Sequence, residues 1–388
     1  MPKPRTEPAL STTWLRIASL RLDRQHLTKR LPARRLLDVV EDHVAIQAQV
    51  MSAAELQLNA RLDGLRRDDV RDALWQKRTL VKTWAMRGAL HLMTANGLWD
   101  FVAAAPTRGN WETGAWLRYF EITLDELRAL MSAIEQVLDD KPRTRAELIA
   151  GVAERTGKSG RSDLAAKLAS GWGTFLKPPA ARGHLCFGPD AGRNVTFVKP
   201  ANWLGVKSPA PVDPKVATGR LAERFLRLFP GASREGVARW WGASPSRIRA
   251  GVAAARVPVA EIDIEGGTGW ALVEDIAAIK RATEPVGVRL LPNFDAYVND
   301  LPRRVAALLP VEHHERVHRV AGWVSPVVIV DGRVGGTWEI GGAKRGVVEV
   351  IPFGRWRGGV RKELAVEVDR IAAFLDRPLA VSIGPAVR

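Results

Sequence analysis

The stretch "VAIQAQVM" places two glutamines, Gln47 and Gln49, one residue apart inside an apolar run. A carboxamide buried without hydrogen-bond partners costs roughly 1–3 kcal/mol, so either neighbours satisfy this pair or the pair faces something that binds. Side chains two positions apart diverge by about 200° on an α-helix and point the same way only on extended backbone. The segment lies between two runs of helical period, "RRLLDVVEDHV" and "SAAELQLNARL". A short extended link there lets both amides converge on one point. The plainer alternative is two amides capping helix ends. A neutral amide is neither a base nor a nucleophile, but amide oxygens held in place can orient water and stabilise a developing cation.

Two other stretches have chemical spacing. His314, Glu315 and His318 in "HHERVH" match H-E-x-x-H, which on a helix sets two imidazoles on one face for zinc. The segment begins soon after Pro310, leaves room for about two helical turns, and is followed by no third ligand at the usual spacing. A small polar surface helix explains it equally well, and no metal is expected. The glycine-rich "DGRVGGTWEIGGAKRGV" lacks the G-x-x-x-x-G-K-[ST] pattern of a phosphate-binding loop. It reads as a hairpin turning on Asp331-Gly332, either an ordinary edge hairpin or a basic wedge near nucleic acid.

The chain that must position these residues has 388 of them, room for two or three domains, with 46% hydrophobic and 26% charged residues. Lys and Arg number 58 against 42 acidic residues, a net charge of +16. Such an excess suits a polyanionic partner, though an arginine-rich proteome produces it too. The single cysteine, Cys186, excludes intrachain disulfides and cysteine-rich zinc sites. "MPKPRTEPALSTTWLRIASLRL" holds no apolar core long enough for a signal peptide or membrane span. A cytoplasmic, nucleoid-associated protein without membrane partners is expected.

One pattern recurs three times: a helix-period segment, a second helix, then an alternating stretch that reads as a hairpin. The first copy closes with "TLVKTWAMRGALHLMT", turning at Arg87-Gly88. The second opens at "TRAELIAGVAERTG", where Thr144 and Glu147 have capping-box spacing, and its hairpin carries "GPDAG" at the tip. In the third, Ser244-Pro245 opens the last helix and the hairpin turns on Gly266-Gly267. The third copy's order, helix, short helix, turn, helix, hairpin, is the winged helix-turn-helix order, in which the last helix enters the DNA major groove. The expected fold is therefore mainly α with small β-wings (α+β). Its three tandem units cover residues 10–110, 120–200 and 213–280, and strands, a hairpin and a helix follow over 285–388.

Four stretches, "AIQAQ", "TWAMRGALHLM", "LLPNFDAYV" and "VIVDGRVGGTW", together resemble the tandem winged-helix DNA glycosylases of the AlkZ-like group, in the family order and over roughly residues 10–385. The resemblance implies three winged helices arranged as a C around a basic channel, with Gln47 and Gln49 as the catalytic Gln-x-Gln signature. That subgroup is tied to self-resistance against DNA-alkylating natural products and to unhooking of interstrand crosslinks. The implied activity is monofunctional hydrolysis of the N-glycosidic bond of cationic N7-alkylated purines in double-stranded DNA, by a monomer without a cofactor. Arg87, His91, Arg247, Arg249, Arg333, Lys344 and Arg345 are candidate DNA contacts. Asp295 is a candidate support that orients a glutamine or balances cationic charge. The alternative is a winged-helix transcriptional regulator that reads bases with Arg247 and Arg249 and catalyses nothing. Regulators usually bind as symmetric dimers, and three unlike copies lack that symmetry.

Overall fold

The structure, a computed structural model, describes residues 8–109, 111–156, 163–169, 173–205, 210–302, 305–341 and 346–387. It is a mixture of helices and small sheets that divides into two interleaved compact units. One comprises the chain up to Val70, Glu223–Val237 and Val257 onward; the other comprises Arg71–Ala222 and Ala238–Arg256. The divisions at Val70 and around Glu223–Arg256 fall inside the first and third repeated segments.

In the first unit, the largest sheet has five strands in the order Val288–Leu291, Val327–Val330, Arg333–Gly341, Gly346–Pro352 and Leu379–Ile383. All four residues of Val327–Val330 are buried, as a β-branched run covered on both faces should be. Helix Val360–Leu375 joins the last two strands, which run parallel. It packs Leu364, Val368 and Ile371 with Val328, Trp338 and Val350. A second core gathers Leu15, Leu22 and Leu27 with Phe294, Tyr297 and Val327. A smaller sheet pairs Ser11–Thr12 with the hairpin Val259–Ile264 and Gly267–Leu272. That hairpin turns on Glu265 and Gly266, both at positive φ, one residue earlier than the glycine pair suggests.

The second unit holds the hairpin Leu80–Trp84 and Leu90–Thr94, paired Trp84 to Leu90. Helix Leu124–Val137 opens on a capping box between Thr123 and Glu126 and buries Leu127, Leu130, Ile134 and Val137, a 3.6-residue stripe. The spacing-based capping box at Thr144 is present: Glu147 N–H donates to Thr144 Oγ1 at 3.3 Å, and Thr144 N–H donates to Glu147 Oε2 at 2.7 Å. The hairpin Cys186–Ala191 and Asn194–Val198 turns at residues 192–193, so "GPDA" belongs to its first strand rather than its tip. Helices Pro214–Leu228 and Arg234–Trp241, each divided between the two units, and Pro245–Ala254, within the second, follow along the chain. The last is capped by Ser244 Oγ, with Pro245 in its first turn.

Candidate active site

Gln47 ends a short extended strand, and Gln49 follows two residues later where the chain bends into the next helix. Helix Leu36–Asp42 ends, Val44 takes φ +63, Ile46–Gln47 is strand, and the next helix begins at Met51. A β-branched residue at positive φ is uncommon and costs on the order of 1–3 kcal/mol. Here it reverses the chain just before the glutamines. Burial then alternates: Ile46 and Ala48 are buried, Gln47 is half-buried and Gln49 is exposed. The apolar pair is thus packed inward and each glutamine keeps part of its surface exposed.

A polar network fixes this strand from behind. Gln57 Nε2, on helix Met51–Asn59, donates to the Gln47 main-chain carbonyl at 3.0 Å and to the Asn293 carbonyl at 3.4 Å. Asn299 Nδ2 donates to Gln47 Oε1 at 2.8 Å. Arg61 is the hub, with neither its guanidinium nor the carboxylate of Asp295 reaching solvent. Its Nε donates to His43 Nε2 at 2.8 Å, and its terminal nitrogens donate to the Gln57 carbonyl, Gln25 Oε1 and both oxygens of Asp295. All five N–H donors of the guanidinium are thereby used. Burial, then the neighbouring Arg61, pushes the His43 imidazole well below its ordinary pKa. It is therefore neutral, donating from Nδ1 to the Val39 carbonyl and accepting at Nε2.

The role expected of Asp295 changes accordingly. Its oxygens take the two Arg61 donors and the Tyr297 N–H, capping the short helix Ala296–Asn299. It reaches Gln47 indirectly, through that helix, whose last residue is Asn299, and through Arg61 and Gln57. Asn299, Gln57 and Arg61 carried no sequence signal as site residues.

The candidate DNA contacts fare unequally. His91 is 2% exposed, with Nδ1 bonded to the Ala89 carbonyl at 3.0 Å. Burial, then Arg87, pushes it down to about 3. A buried neutral imidazole offers no charge to a phosphate, so His91 is a structural residue of its hairpin. Arg87 sits half-buried at the turn of that hairpin with φ +56. Near it are two cations that sequence reasoning passed over. Arg108 is buried between Trp111 and Trp241; burial, then Arg87, lowers its pKa to about 10. Lys177 lies against Gly88 and is lowered by burial, then by Arg108. Of this cluster, Arg87 and Lys177 keep part of their surface exposed, whereas Arg108 is buried. Arg247 and Arg249 are exposed on helix Pro245–Ala254. Arg247 donates to the Thr107 carbonyl at 2.6 Å, and Arg249 has no ion pair among the described residues.

Asp331-Gly332 forms the expected turn, with φ +48 and +79, but it is not an exposed tip. Gly332 is buried against Pro285, and its carbonyl accepts from Tyr297 Oη at 2.7 Å. Arg357 and the Gly287 N–H hold the Asp331 carboxylate, which ties this end of the hairpin to its surroundings. Arg333 follows it, exposed. Lys344 and Arg345 lie outside the described residues. In "HHERVH", His314–Val317 is a single helical turn, His318 is already extended, and His313 stacks on Phe353. Among the described residues, no group of three His, Cys, Asp or Glu side chains is placed to hold a metal ion.

Residues 40–374 match the family described as DNA glycosylase AlkZ-like. The chain belongs to this family. The interstrand DNA cross-link repair glycosylase of Streptomyces sahachiroi is 32% identical over 335 residues, which cover 85% of this chain and 89% of the relative. The solved structure of Streptomyces sahachiroi DNA glycosylase AlkZ superposes with a TM-score of 0.87 at 30% identity, covering 97% of this chain and all of that one. No helix among the described residues is long and apolar enough to cross a membrane.

Proposed function

We propose that this DNA glycosylase hydrolyses the N-glycosidic bond of cationic N7-alkylated purines in duplex DNA, bulky adducts and interstrand crosslinks included, and that Gln47 and Gln49 are its catalytic residues. The observation that carries the reading is the alternation of buried Ile46 and Ala48 with half-buried Gln47 and exposed Gln49. The cross-link repair function named for the Streptomyces sahachiroi relative supports the class of lesion. The three helix-pair-and-hairpin segments are read as tandem winged helices, and the protein as a monomer.

Alkylation at N7 gives the base a positive charge. The base then departs with the electron pair of the C1′–N9 bond and needs no protonation, and the sugar develops oxocarbenium character. Two amide oxygens, that of Gln47 held by Asn299, accept the hydrogens of a water molecule and face the cationic carbon. The water oxygen bonds to C1′ and its surplus proton passes to solvent. Unmodified purines lack the charge and react poorly. Because no amine forms a bond to C1′, borohydride traps no covalent DNA complex. A crosslinked base is tethered to the opposite strand and cannot be flipped freely into a closed pocket, as most glycosylases require; a partly exposed amide pair suits it.

The deciding experiment follows excision of N7-methylguanine from a duplex, with hot alkali to reveal abasic sites. Gln47→Ala and Gln49→Ala should each lose about 10²-fold or more in single-turnover rate, the cost of removing one preorganised polar group. Wild-type rates in both would overturn the assignment.

A further inference from the structure

A carboxamide has two different ends, and its usefulness depends on which one faces the substrate. The sharpest observation about Gln47 is that its Oε1 already accepts a hydrogen bond, from Asn299 Nδ2 at 2.8 Å, across 252 positions of sequence. We propose that Asn299 is a positioning residue that sets which way round the Gln47 carboxamide sits. This inference rests on the reading that Gln47 is catalytic.

Three features make Asn299 suited to the task. Its backbone is fixed: its N–H donates to the Asp295 carbonyl at 2.9 Å, inside the short helix that the Asp295 carboxylate caps. Asp295 is itself immobilised by Arg61, which also holds the Gln57 carbonyl. The other side of the strand is fixed too, since Gln57 Nε2 binds the main-chain oxygen of Gln47. The glutamine is therefore gripped at its backbone carbonyl and at its side-chain oxygen by two arms of one buried network. An amide oxygen carries two lone pairs. With one taken by Asn299, the second has a single direction, and Nε2 is turned to the opposite side of the group. Accepting the Asn299 bond also polarises the amide.

A donor at position 299 therefore matters more than a side chain of the right size. Asn299→Asp replaces the N–H with an acceptor of the same shape and attracts Gln47 Nε2 instead, reversing the amide. At pH 8 this variant should lose about tenfold to hundredfold in kcat, with KM for lesion-bearing duplex within about twofold. Lowering the pH through the carboxyl range restores an O–H donor, so the rate relative to wild type at the same pH should recover. Asn299→Ala should lose less and show no such recovery. Asn299→Ala combined with Gln47→Ala should be no slower than Gln47→Ala alone, because Asn299 acts only through that side chain.

Asn299→Asp at wild-type rate at pH 8, or slowed with no gain on acidification, would overturn the proposal, and so would additive losses in the double variant. Should Asn299→Asp fail to fold, the Asn299→Ala and double variants decide the matter. The catalytic reading fails separately, on wild-type excision by Gln47→Ala.

Discussion

Arg61 and Asp295 share two hydrogen bonds, of 2.7 and 2.9 Å, with no solvent exposure on either side chain. Removing one partner strands the other charge in a medium that cannot solvate it. Asp295→Ala should cost about 3–5 kcal/mol, read from urea unfolding of the full chain. Asp38→Ala breaks the pair with Arg35, which is about half exposed at both ends, and should cost less than about 1 kcal/mol. Comparable losses from both would show that the buried pair is not the support described here.

His91 gives the fold a defined response to acid. Its pKa falls from 6.5 in the free side chain to about 3 in the folded chain, through burial and then Arg87. Between those values the unfolded chain takes up the proton and the folded chain does not, so stability falls as pH drops below 6.5. The slope for one such group is about 1.4 kcal/mol per pH unit. His91→Asn keeps an N–H for the Ala89 carbonyl. The stability lost between pH 7.5 and 5 should therefore shrink by about 2 kcal/mol in that variant, measured by unfolding at both pH values.

Arg249 offers a clean electrostatic test. It is exposed and has no ion pair among the described residues, so its removal leaves nothing stranded. Read as a phosphate contact, Arg249→Ala should weaken lesion-bearing and undamaged duplex alike. It should also reduce the slope of log Kd against log salt by about 0.9. Stability should change by less than about 0.5 kcal/mol. An unchanged slope in fluorescence anisotropy titrations would remove Arg249 from the DNA surface.

Gly332 tests whether the Asp331-Gly332 turn is structural. With φ +79, a Cβ there would come within 2.5 Å of Pro285 Cγ. Gly332→Ala should destabilise by about 1–3 kcal/mol, the usual cost of overpacking. DNA affinity of the folded fraction should match wild type. Reduced affinity at unchanged stability would return this turn to the DNA-contacting surface.

What could be read from the sequence was local. The capping box at Thr144, the turn at Asp331-Gly332 and the break between helices that carries Gln47 and Gln49 each depend on residues within a few positions of one another. The misreadings arise where burial decides. His91 looks like a phosphate ligand because histidine is polar, yet its strand position turns it inward. The "DGRVGG" turn stays open between an ordinary hairpin and a wedge near nucleic acid, because the sequence does not show that Tyr297 and Pro285 enclose it. Asn299 and Arg61 were invisible as site residues because what qualifies them is proximity across long stretches of chain, which neither periodicity nor composition records.

The bonds that hold Gln47 have a temporal consequence. The glutamine is made early in synthesis, but Asn293 and Asn299 emerge some 250 residues later. A nascent chain lacking them carries the signature without its fixtures. On the proposed reading, the side-chain partner that orients the Gln47 carboxamide is therefore made only after most of the polypeptide.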